Sequence, residues 1–132
     1  MPDREAIVAG PWSERLTFSP ALRVGNLLFI SGTTATDDAR RIVGVGDIVE
    51  QTRQIFRKFA RILAAASASF DNIVETTDYF LTFADYDKTA AVRRELFRPP
   101  YPAATGVQVA GLIRPEALIE IKAIAVLDAV RG

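Results

Sequence analysis

The chain has 132 residues, one domain's worth, and 49% of them are hydrophobic, enough to bury a core. Sixteen basic and sixteen acidic residues cancel to zero net charge, which leaves neither the basic excess of a nucleic-acid binder nor an electrostatic reason to dock on an anionic membrane. With no cysteine and no histidine, disulfides, thiol nucleophiles, imidazole bases and the usual zinc ligand sets are excluded, so any catalysis falls to carboxylates, hydroxyls, Lys, Arg, backbone groups or water.

Residues 1–17 read as an irregular lead-in with no apolar run fit for a signal peptide or a membrane span, so a cytoplasmic location is expected. The runs ALRV and LLFIS, split by Gly25-Asn26, read as a hairpin. A loop rich in Gly, Thr and Asp follows, with a short extended piece at Arg41 to Val43. Asp47, with Glu50 three residues on, marks a helix start. Ile48, Thr52, Ile55, Phe59, Ile62 and Ala66 form its apolar face. Arg53, Arg57, Lys58 and Arg61 lie largely off that face and should be solvated.

Ile73 to Phe83 reads as a strand. Asp85 can cap a second helix, Tyr86 to about Phe97, which Pro99-Pro100 stops. Thr105 to Val109 and Leu118 to Leu127 are the remaining strands, giving the order β-β-α-β-α-β-β in a single domain over residues 1–132. Two helices on one face of a mixed sheet make an α+β layer structure. They leave the other, equally apolar, sheet face uncovered, for which a symmetric oligomer is the simplest remedy.

Within the last strand, LIEIKAIAV, the carboxylate of Glu120 is out of place among Ile, Leu and Ala. Alternation sets it on one face with Leu118, Lys122, Ile124 and Val126. It either faces water beside Lys122 or sits half-buried, where its pKa would rise toward values useful for proton transfer.

The segments VGNLLFISG, GDIVEQTRQIF, DNIVETTDYFLTFADYD, YPAATGVQVAGL and ALIEIKAIAV stand in an order that resembles the RidA/YjgF family from Phe18 to Val126. The resemblance implies a chorismate-mutase-like fold, a homotrimer with clefts between subunits, and hydrolysis of small enamines and imines such as 2-aminoacrylate without metal or cofactor. Glu120 matches the family acid that positions or activates the attacking water, and Ser31, Gly32 and Thr33 match its early loop.

The family's carboxylate-gripping arginine follows Pro-Ala, and Ala104 stands there instead. Phe18 replaces a frequent Tyr, Ala90 a frequent Asn and Gly106 a frequent Cys, with Thr105 beside it. These changes suggest a roomier and less polar pocket. Arg93 and Arg114 are the candidates to replace the missing arginine, set against the plainer reading of solvated surface residues. Trp12 and Phe18 either line an aromatic wall or pack against a neighbouring subunit, and Thr33, Thr34 and Thr36 either line the cleft or form only a loop. The expected activity is hydrolysis at a C–N centre of a small-molecule substrate larger or less anionic than 2-aminoacrylate. A non-catalytic binding trimer and a tautomerase or cyclising enzyme are the rivals. Ribonuclease activity, attributed to some relatives, is disfavoured by the neutral charge and the missing histidine.

Overall fold

The computed structural model describes residues 3–127. A six-stranded mixed sheet in the order β1-β2-β3-β6-β4-β5 carries the helices on one face. Its strands are β1 (Glu5–Ile7), β2 (Ala21–Val24), β3 (Leu27–Thr33), β4 (Ile73–Phe80), β5 (Ala103–Gln108) and β6 (Ile119–Val126). Only β4 and β5 run parallel. The helices are α1 (Ile48–Ala65), α2 (Phe83–Asp87) and α3 (Ala90–Leu96). None is long and apolar enough to cross a membrane.

The β2–β3 hairpin forms where Gly25-Asn26 predicts it. Val24 pairs with Leu27, and Gly25 takes the positive φ of 61° that a two-residue turn demands. Asp47 caps α1 by accepting the Glu50 N–H at 3.1 Å. Glu50 does not reach back to close a capping box; its carboxylate takes Arg57 at 2.9 Å. Three readings shift. The lead-in contains a short strand, β1, on the sheet edge. The predicted second helix is two helices broken at Thr89, and Thr82, not Asp85, caps the first by accepting the Asp85 N–H at 3.3 Å. The strand expected to reach Phe83 ends at Phe80.

The core lies between α1 and the sheet face made by Leu28, Ile30, Ile119, Ile121, Ala123 and Ala125. Phe56 stands edge-on to Phe59, Phe70 and Phe97, which ties α1 to the turn before β4 and to the end of α3. The opposite sheet face has no cover among the described residues, and Phe29 there is 41% exposed. That matches the uncovered face expected from the apolar strands.

Candidate functional site

Glu120 lies on this open face. It is opposite Tyr79 on β4, which is in turn opposite Val107 on β5. It is half-buried, and burial raises its pKa above the ordinary carboxylate value of 4.5. Lys122, two residues on, is exposed and forms no ion pair with it among the described residues.

A register shift between Ile30 and Thr33 lets β3 bulge beside Glu120, and Gly32 sits in the bulge. A Cβ built on Gly32 would stand 2.7 Å from the Glu120 Oε2, so the missing side chain is the space the carboxylate occupies. Gly32→Ala is expected to push the carboxylate aside rather than unfold the chain, since the obstacle is the end of a flexible side chain. Any reaction that uses this carboxylate should slow about 100-fold, the scale of a 1 Å misplacement, while the melting temperature barely moves. Steady-state kinetics beside thermal melting checks both.

Ser31 is already committed. Its hydroxyl donates to the Ser19 carbonyl at 2.6 Å and its N–H to the Pro20 carbonyl at 3.0 Å, so both donors anchor the lead into β2. The three threonines are likewise taken. Lys58 Nζ donates to the Thr33 hydroxyl, to the Thr34 carbonyl at 2.9 Å and to the Thr36 hydroxyl at 2.8 Å. Lys58 is therefore not solvated as its place on the helix suggests. Its long stem carries the ammonium under the loop after β3, and burial lowers its pKa to about 8.

Gln51 escaped the sequence reading. It is fully buried; its Nε2 donates to the carbonyls of Gly44 at 3.1 Å and Glu116 at 3.0 Å, and its Oε1 accepts the Leu118 N–H at 2.8 Å. These bonds hold the entry to β6 two residues before Glu120. The signal was a polar residue one turn from Ile48 and Ile55 on the apolar face of α1.

Ala104 faces the other way. It pairs with Thr76, which pairs with Ala123, and both of those are buried on the helix side. Strand spacing and rise place Ala104 about 14 Å from Glu120, on the opposite face of the same sheet. Within one chain the two positions therefore stand apart. Around Ala104 is a cavity of about 250 Å³ lined by Thr76, Ala90, Arg93, Phe97 and Tyr101, with the exposed Arg94 also on its wall.

Arg93 does not stand free to replace the missing arginine. Its guanidinium binds the fully buried Asp78 and the Thr89 hydroxyl, and it lies 5.2 Å from the centre of the Tyr86 ring. Tyr86 adds its own hydrogen bond to Asp78 at 2.6 Å; burial, and then that bond, push its phenol up to about 12. Arg114 is partly exposed and does not line the cavity. Gly106 is not roomy either, because a Cβ there would meet Phe80 at 3.1 Å and Tyr86 at 3.3 Å, the two rings being stacked. Thr105 is exposed on the edge strand, paired with Thr77. Phe18, 53% exposed, packs edge-on against Trp12 at 5.2 Å, so the two rings form one aromatic patch.

The model of the endoribonuclease L-PSP family matches residues 12–127. The chain belongs to this family, the RidA/YjgF family. A RutC family protein from Pyrococcus horikoshii is 37% identical over 82% of this chain and 85% of its own length. The 3-aminoacrylate deaminase RutC of Acinetobacter baylyi is 34% identical over the same shares. The structure of a Rid protein family member from Yersinia pestis superposes with a TM-score of 0.86 at 26% identity, covering 95% of this chain and all of that one. These likenesses support an imine or enamine deaminase type of role at the level of the RidA/YjgF family.

Proposed function

We propose that this RidA/YjgF-family chain is a hydrolase that releases ammonia from an imine or enamine of a small molecule, with Glu120 as its acid–base group. The observation that carries the reading is the Glu120 carboxylate, half-buried, without an ion pair among the described residues and seated in the space left by Gly32. As a carboxylate it would accept a proton from water while the water oxygen bonds to the C=N carbon. As an acid it would return that proton to nitrogen, giving the carbinolamine; it would then carry the hydroxyl proton to nitrogen as the C–N bond breaks, leaving a carbonyl compound and ammonia. An enamine first takes a proton on carbon to become the imine. Similarity to a 3-aminoacrylate deaminase supports this reaction class.

The working unit in this proposal is a homotrimer. The open face carrying Glu120 is apolar, and β5 is an exposed edge. Packing one copy's open face beside another copy's Ala104 cavity would reunite the halves that a single chain keeps apart. An RNA-cleaving reading gains no support, because Arg53, Arg57, Arg61, Arg93 and Arg98 are each paired to a carboxylate rather than gathered into a basic face.

Altered recognition follows from Ala104. Ala104→Arg is expected to raise kcat/KM on 2-aminoacrylate by about 10- to 100-fold, the worth of one charge-assisted hydrogen-bonded contact. Measuring ammonia release from 2-aminoacrylate generated in situ tests it. No gain in the variant would mean that this position does not face the substrate.

A further inference from the structure

The cavity beside Ala104 has a definite chemistry. Phe97, Tyr101, Ala90 and Ala104 make its walls apolar, and its volume of about 250 Å³ exceeds the roughly 150 Å³ that accommodates a benzene ring. Of the polar residues on its wall, Thr76 is 3% exposed, and Arg93 is turned to Asp78 and Thr89. Arg93's charge is already compensated by Asp78, so it does not call for an anion. Arg94 is different. It is exposed on the same wall and has no carboxylate partner among the described residues.

We propose that this cavity seats a ring-sized apolar substituent of the substrate and that Arg94 takes a carboxylate at that substituent's far end. The substrate class is then an aryl or similarly bulky C–N compound with a distal acid, in place of a small anion with its carboxylate next to the reacting carbon. The proposal deepens the deaminase reading and rests on it only for the reacting group; the cavity's preference stands on its own lining.

Calorimetric titration of the full chain with phenylacetate, 3-phenylpropionate, benzyl alcohol and pyruvate tests it. Both phenyl acids should bind more tightly than pyruvate. Ala104→Leu, which fills the cavity, should weaken every phenyl compound at least tenfold, with a thermal melt matching wild type as the control for folding. Arg94→Ala should weaken the two acids about tenfold and leave benzyl alcohol unchanged. Pyruvate binding as well as the phenyl acids, absence of phenyl binding, or indifference of that binding to Ala104→Leu would overturn the proposal. Phenyl binding with no turnover of any imine would instead remove the deaminase reading and leave the cavity's assignment standing.

Discussion

Glu120→Gln is expected to lower kcat for imine hydrolysis by about 10²- to 10⁴-fold, the usual worth of a positioned acid–base group, with KM nearly unchanged. Glutamine keeps the shape beside Gly32 and loses only the proton chemistry. The pH profile gives a second readout. Because burial raises the Glu120 pKa, wild-type activity should fall as pH drops through that raised value, and the acid limb should vanish in the variant. Stability should move the opposite way. A carboxyl whose folded pKa is raised contributes stability that is present below the unfolded value of 4.5 and is lost as pH rises through the folded one. Glu120→Gln, always neutral, should therefore be slightly more stable than wild type at pH 7, with the gap closing below about pH 4.5. The effect stays small because the carboxylate is still half in water. A variant that is inactive yet no less stable separates a chemical role from a structural one.

Asp78→Ala should have the largest effect on stability. Asp78 is 0% exposed, and the Arg93 side chain it binds is only 19% exposed. Removing the carboxylate leaves a guanidinium buried without its counter-charge, which costs about 3–5 kcal/mol. That is a large part of the roughly 5–15 kcal/mol that holds a domain of this kind together. Tyr86 loses an acceptor as well, and with it the bond that braces α2 against β4. Urea unfolding should show a lower midpoint at unchanged slope. Replacing both partners, Asp78→Leu with Arg93→Met, should recover much of the loss, since the penalty lies in the orphaned charge. A double variant as unstable as Asp78→Ala would show that the cost comes from packing.

The strands and the first helix were legible because their burial follows short periods. LLFIS and LIEIKAIAV are short apolar runs of strand length, Gly25-Asn26 fits a tight turn, and the apolar face of α1 repeats every three to four residues. The uncovered sheet face followed from the same patterns. The half-burial of Glu120 was legible as one of two readings, since alternation gave its face but not what stood opposite. The Asp78–Arg93 pair was hidden because the two residues come from different elements, and the pattern gives no sign of a charge that crosses from a strand to a helix. Lys58 misled for a related reason: its Cα lies off the apolar face, but its four-carbon stem reaches back under the loop. The separation of Glu120 from Ala104 within one chain was not legible because strand order decides it. Parity along one strand fixes a face, but only the pairing β6-β4-β5 shows that residues 104 and 120 look out of opposite sides.

The most direct test of the central claim is the rate of ammonia release from imines generated in situ, measured against the spontaneous reaction for wild type and Glu120→Gln side by side. The account predicts release above background by wild type on at least one bulky or distal-acid imine, and release about 10²-fold or more slower by the variant. Equal rates for the two proteins on that imine would contradict it.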